Sequence, residues 1–311
     1  MPADMRDVIF DEVYKLSVKD QSVLFLTADL GAFSLNKFRK ELPNQFINMG
    51  IAEQNVINFA AGLAVAGKKP FIYSIIPFVT MRCLEQVKVC LADMELGVCI
   101  IGGGAGFTYG SDGPTHHAIQ DIGIMRSLGN VAIYNPCDEV SAVAAVRAAY
   151  TSKQPCYIRI ENGSHEILYN DTKEAENGLK RVLVGCKLYI ISTGAMTHRA
   201  LRAAKSYMLD DVGVIDVCRL DQLDAHTVMD MLGSVKNVLT VEENYISGGL
   251  GSLVEETLSG KGYRIEKMAV RDVFSNGYGT REWLLEQCGI SQEHILLKLK
   301  QMLADAGEDT F

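Results

Sequence analysis

Short β-branched runs alternate with longer helical patterns along most of this chain, and that alternation restricts the fold more than any single motif does. Residues 22–27 (SVLFLT), 98–101 (VCII), 131–134 (VAIY) and 156–160 (CYIRI) read as buried strands, with helical stretches at 78–91 and 139–152. This βαβ rhythm predicts a mainly parallel sheet flanked by helices. A polar segment, 161–180, interrupts the rhythm, and then it restarts. Residues 187–194 (KLYIISTG) read as a strand ending in a glycine turn, 196–208 as a helix, and 212–217 and 238–242 as further strands. The fold class is therefore α/β with two domains, 1–165 and 180–311, joined by a linker between about 164 and 182. A length of 311 residues with 48% hydrophobic content is enough to fill two cores. The acidic tail, 304–311, reads as frayed.

Charge and cysteine usage narrow the function classes. A net charge of -8 without any basic run argues against nucleic acid or an anionic membrane surface as partner. No apolar run approaches the ~20 residues that cross a bilayer, and the charged, amphipathic MPADMRDVIFDEVYK is unlike a signal peptide. The eight cysteines are scattered singly, mostly among aliphatic residues, as small buried thiols are in a reducing compartment. A soluble cytoplasmic protein without a metal-ligand set of its own is the expectation.

Three stretches carry chemistry. In INMGIAEQN, residues 47–55, Glu53 stands at the mouth of an uncharged helix. It suits a first-turn cap, where a carboxylate meets free N–H groups, and equally a carboxyl tuned by its apolar surroundings. The Gly- and Ala-rich helix, 51–66, reads as buried on all sides and so predicts self-association or a larger assembly. The glycine run 102–106 follows a strand but continues into Asp112-Gly113-Pro114, which is turn chemistry and not the opening of a dinucleotide-binding helix. So long a loop is usually functional, and its tip offers Asp112, His116 and His117. Adjacent histidines point apart, which disfavours metal binding there. In VEENYISGGLGS, residues 241–252, the glycines suit a tight turn before a helix, and the two acids favour packing over phosphate binding.

Asp29 in LTADLG, Glu53 in MGIAEQN, the DGPTHH loop and VEENYISGGLGS occur in the order and spacing of the transketolase family. Over nearly its whole length the chain resembles the carboxy-terminal half of a transketolase, the pyrimidine-binding domain followed by the C-terminal domain. The resemblance implies a thiamine-diphosphate enzyme in which Glu53 hydrogen-bonds N1′ of the aminopyrimidine and shares a proton with it. It implies that Phe78 stacks on that ring, that Ile75 replaces a second aromatic, and that Asp29 lies close to the cofactor. His116 matches the histidine near the donor ketose's carbonyl and hydroxyl groups, and Asp112 the carboxylate that reads its C2 hydroxyl. Ser34 and Arg6 lie near positions that hold a sugar phosphate. The G-D-G motif with which the other half of the family binds diphosphate and Mg²⁺ does not occur in this sequence. The resemblance thus implies a split enzyme, with Mg²⁺ ligated by a separate N-terminal transketolase subunit in an α2β2 heterotetramer acting on sugars or other aldehydes.

Two departures bear on substrate. Gly104 stands where transketolases place a histidine at the sugar phosphate, and RIEN presents Glu161 and Asn162 where they carry an arginine. Losing charge-assisted hydrogen bonds, and placing an acid beside the site, would weaken phosphate binding. Rival readings are the β subunit of a 2-oxo acid dehydrogenase E1, which the IEN resembles, a deoxyxylulose-phosphate-synthase-like enzyme, which shares DGPTHH, and a non-catalytic regulatory subunit. Retention of Glu53, Asp112 and His116 argues against the last.

Overall fold

The computed structural model describes residues 3–207, 211–272 and 277–308, and the alternation resolves there into two open sheets. The first contains β1 (Val23–Thr27), β2 (Phe46–Asn48), β3 (Lys69–Ile75), β4 (Cys99–Gly103), β5 (Ala132–Tyr134) and β6 (Cys156–Ile160). Its order is β2-β1-β3-β4-β6-β5, with every neighbouring pair parallel. β1, β4 and β6 are buried at every residue, because helices cover both faces of a parallel sheet. On one face Ile9, Phe10 and Val13 of the helix Met5–Lys19 pack with Phe25, Phe38 and Tyr73. On the other, Val56, Ile57 and Ala60 of the helix Glu53–Val65 pack with Leu26, Ile72 and Ile100.

The second sheet contains β7 (Leu179–Leu183), β8 (Leu188–Ser192), β9 (Val212–Val217), β10 (Asn237–Tyr245) and β11 (Arg264–Val270). Its order is β11-β10-β8-β9-β7, parallel except for β7, which runs antiparallel to β9. The polar stretch between the sheets is ordered. Tyr169 is fully buried and its hydroxyl donates to Asp216 at 2.8 Å, while the Leu168 and Tyr169 N–H groups donate to Asp138. The sheets share an apolar cluster that includes Ile122, Ile133, Val217, Leu220 and Leu250. Backbone bonds from Asn135 N–H to Cys218 O and from Leu220 N–H to Ile133 O, each 2.8 Å, join the edge of the first sheet to the second.

Several sequence expectations change. β2, β7 and β11 are edge strands, short or charged as exposed edges are, and so lack the apolar run that marks a central strand. β3 is masked in the sequence by Pro70 near its start and by Pro77 in the helix that follows it. The helix expected over 78–91 is broken into Ile76–Val79, Leu84–Gln86 and a π-helical turn, Val87–Ala92. Thr80 Oγ1 bonds to Ile76 O at 2.6 Å and Cys83 Sγ to Phe78 O, competition for backbone carbonyls that bends the segment. The helix Glu53–Val65 is not buried on all sides: Val56, Ile57 and Ala60 face the core, while Phe59 and Val65, and Ile51 just before the helix, are exposed, Val65 at 65%. The tail is not frayed through its described part, since the helix Gln292–Glu308 includes residues 304–308. Residues 309–311 and Met208, the end of the expected helix 196–208, lie outside the described residues.

Candidate active site

From β1 the chain passes to β2 on one side and then crosses to β3 on the other. A crevice therefore opens at the carboxyl ends of β1 and β3, where open α/β sheets bind ligands. Asp29 follows β1, Ile75 ends β3, Phe78 follows it, and Glu53 follows β2. Asp29 has a left-handed backbone (φ 57°), which Asp tolerates, and Asn48 holds it by accepting from its N–H at 3.1 Å and donating to its carboxylate at 2.9 Å. Ile75 ends β3 half-buried.

Glu53 is the first residue of its helix and only 5% exposed, while Gln54 and Asn55 beside it face solvent. Its carboxylate accepts from Arg82 Nη1 at 2.9 Å. The Arg82 guanidinium in turn lies 4.1 Å from the centroid of the Phe78 ring, and the His116 ring meets that ring edge-on at 5.0 Å. Glu53, Arg82, Phe78 and His116 thus form one continuous series at the crevice. An open pocket of about 530 Å³, lined by Ile51, Ala52, Glu53, Asn58, Arg82 and Gln86 among others, adjoins it. Sequence reasoning missed Arg82. The available signal was its position four residues after Phe78 in a stretch expected to be helical, although in the structure Arg82 lies in the turn between Ile76–Val79 and Leu84–Gln86.

The glycine run serves packing. A Cβ on Gly102 would come 2.9 Å from the Tyr157 ring, on Gly103 3.1 Å from Tyr73, and on Gly104 2.3 Å from Tyr109. Three glycines thus admit three tyrosine rings, and Gly104 has a φ of +88° besides. The loop continues to Asp112, which is exposed, and to His116, half-buried with Nδ1 3.0 Å from Thr115 Oγ1. His117 points the other way, against the Phe107 ring and Gly110 O. Burial lowers its pKa from the ordinary imidazole value.

The second domain fastens this loop. Glu243 accepts from Phe107 N–H at 2.7 Å, and Gly279 N–H donates to Gly110 O at 3.2 Å. Arg281 bridges Glu243 and Glu161. Arg159 is buried and donates to Asp121 at 2.8 Å, to Ala118 O and to Glu243 O. The acids of VEENYISGGLGS are therefore structural: Glu242 accepts from Leu250 N–H at 2.7 Å and Gly251 N–H at 2.8 Å, filling a helix N-terminus from within.

The expectation that Glu161 stands as an acid beside a phosphate site needs correction. Glu161 is buried and faces Arg281 and His165. Burial alone would raise its pKa, but the guanidinium and the imidazole prevail and hold it at about 2. Asn162 Nδ2 lies 3.5 Å from Tyr109 Oη. Its Oδ1 is buried without a hydrogen-bond partner among the described residues, and Arg6 interacts with the buried Tyr73 hydroxyl. Ser34 Oγ donates to Asp7 at 2.7 Å, and Asp7 lies 3.7 Å from Arg6, so that acid joins the two expected sugar-end residues. Tyr109, 6.4 Å ring to ring from His116, links their side of the crevice to the histidine loop. Asp112 and Asp29 form no hydrogen bond to the Glu53–His116 series among the described residues.

Two tandem α/β domains, with a buried acid and an aromatic ring at the carboxyl edge of the first sheet, agree with the architecture that the transketolase resemblance implies. The transketolase pyrimidine-binding domain family matches residues 1–165, and the transketolase C-terminal domain family matches residues 179–295. The chain belongs to the transketolase family. It is 32% identical over 305 residues to a putative transketolase C-terminal section of Methanocaldococcus jannaschii, covering 96% of this chain and 95% of that one. It is 35% identical over 256 residues to one subunit of an apulose-4-phosphate transketolase of Phocaeicola vulgatus, covering 80% and 81%. Among solved structures, a split-gene transketolase described as an inactive β4 tetramer superposes with a TM-score of 0.86 at 30% identity, covering 97% of this chain and 98% of that one.

Proposed function

We propose that this chain is the pyrimidine-binding subunit of a two-chain, thiamine-diphosphate-dependent transketolase. It would move a two-carbon ketol unit from a ketose to an aldose or another aldehyde. The observation that carries this reading is the buried Glu53 carboxylate at the crevice, one side chain away from the Phe78 ring, in a chain that matches free-standing transketolase halves nearly end to end. Thiamine diphosphate supplies the carbanion that breaks and forms the carbon–carbon bond. The residues present fit its aminopyrimidine: a carboxylate able to share a proton with N1′, and an aromatic face beside it.

In this reading Glu53 holds the proton at N1′, Phe78 stacks on the ring, Ile75 closes the pocket with an aliphatic wall, and Asp29 borders the cofactor. His116 donates to the oxygens of the donor ketose, Asp112 reads its C2 hydroxyl, and Arg6 and Ser34 lie toward the distal end of the sugar. The domains are 1–165 and 180–311. A separate N-terminal subunit supplies the diphosphate ligands and Mg²⁺, and the pair works as an α2β2 assembly in the cytoplasm. The exposed face of the helix Glu53–Val65 supports an interface there. Reconstitution with a partner subunit, thiamine diphosphate and Mg²⁺ tests the reading. Ketol transfer by the pair supports it, and a pair that binds cofactor yet transfers nothing returns the non-catalytic alternative.

A further inference from the structure

Arg82 makes two contacts at once: a hydrogen bond of 2.9 Å to the Glu53 carboxylate and a cation–π contact 4.1 Å from the Phe78 centroid. A hydrogen bond to the acid and a place over the aromatic ring are also what an aminopyrimidine requires of these same two residues. The guanidinium therefore occupies both contacts in this chain. We infer that Arg82 is an internal placeholder for the aminopyrimidine, a latch that cofactor must displace; the inference rests on the reading of Glu53 and Phe78 given above.

The latch has a physical purpose. A carboxylate that is 5% exposed is expensive to leave unpaired, and Arg82 neutralises it while the chain lacks cofactor. The geometry also allows release. Arg82 keeps its backbone fixed, its N–H bonded to Pro77 O at 3.2 Å and its carbonyl accepting from Gln54 Nε2 at 3.1 Å. Its side chain is 46% exposed beside the open pocket, so rotation about its own bonds moves the guanidinium into solvent without moving the chain. Ligand affinity is reduced by the fraction of protein that is not competent to bind, and a closed latch is such a fraction.

The test measures equilibrium binding of thiamine diphosphate with Mg²⁺ to the reconstituted two-chain protein, without substrate. Arg82→Met keeps the aliphatic stem and removes the guanidinium. It should tighten binding roughly five- to tenfold, the scale of a half-exposed ion pair with a cation–π contact. In the same chain without cofactor, Arg82→Met should lower the melting temperature, and Glu53→Gln in that background should recover it. Unchanged or weaker cofactor binding by Arg82→Met, with Glu53→Gln weakening it, overturns the latch and leaves the role of Glu53 standing. Cofactor binding that Glu53→Gln does not weaken overturns the parent reading as well. If Arg82→Met fails to fold, Arg82→Lys replaces it. Lys lacks the planar fork, so binding should tighten by a smaller factor, and no tightening refutes the proposal.

Discussion

Glu243 accepts a hydrogen bond of 2.7 Å from the Phe107 N–H, 136 residues earlier in the chain, and so ties the second domain to the loop that carries Asp112 and His116. Arg281 holds Glu243 in place and neutralises Glu161 behind it. The C-terminal domain thus sets the position of the candidate catalytic loop while contributing none of the residues expected to touch substrate.

Replacing Arg281 with Met should therefore do two things. Two buried carboxylates lose their shared cation, a loss that costs on the order of 3 kcal/mol or more. Denaturant unfolding should register it as a lower midpoint. Because the Phe107–Gly110 anchor loosens, ketol transfer should fall more through KM for the donor than through cofactor affinity. A variant as stable as the parent would show that the network carries no net stability.

The same pair predicts an acid limb. Arg281 and His165 hold the Glu161 pKa at about 2, below the ordinary value of 4.5. The stability this gives is fully present above about pH 4.5 and is lost as pH falls through about 2. Melting temperatures between pH 7 and pH 2.5 should show the parent protein losing more stability than Arg281→Met, which has already lost that stabilisation. Parallel curves would refute the assignment.

Glu53→Gln should leave the chain folded, since Arg82 has solvent to turn into. It should reduce turnover of the reconstituted pair by ~10²–10⁴-fold, because an amide cannot share a proton with N1′. Steady-state rates at saturating cofactor test this. A rate near that of the parent would return Glu53 to a structural role at its helix mouth.

Tyr109 fills the space beside Gly104, and an imidazole at that position would collide with its ring. Gly104→His alone should be destabilised by about 1–3 kcal/mol, because its φ of +88° is also unfavourable for a side chain. Without that imidazole, and with Asn162 in place of an arginine, kcat/KM for a phosphorylated aldose should exceed that for its neutral counterpart by less than about tenfold, or about 1.4 kcal/mol. Matched aldehydes assayed on the reconstituted pair decide the point. A hundredfold preference for the phosphorylated acceptor would assign phosphate binding to Arg6 or to the partner subunit.

This chain purified alone should bind thiamine diphosphate weakly and show no ketol transfer, as expected of a site completed by another subunit. Calorimetric titration with and without the partner measures the difference. Tight stoichiometric binding by the single chain would refute the two-chain arrangement.

Strand and helix alternation, the acid at the mouth of its helix, and the order of the DGPTHH and VEENYISGGLGS stretches were all legible in the sequence. Each depends on local periodicity or turn chemistry, which neighbouring residues encode directly. The edge strands β2, β7 and β11 were not legible, because half-exposed strands carry charge and lose the apolar run, whereas the edge strand β5 is buried at every residue and was. Nor were the partners of charged residues. Glu161 reads in the sequence as an acid at a substrate site, and only folding turns it onto Arg281. The glycines 102–104 read as an open loop, and only folding shows a tyrosine ring over each. Arg82 and Glu53 lie 29 residues apart and meet because β3 returns the chain beside β1. Pairing of buried charges is decided by which distant segments the sheet order brings together, and local sequence does not encode that order.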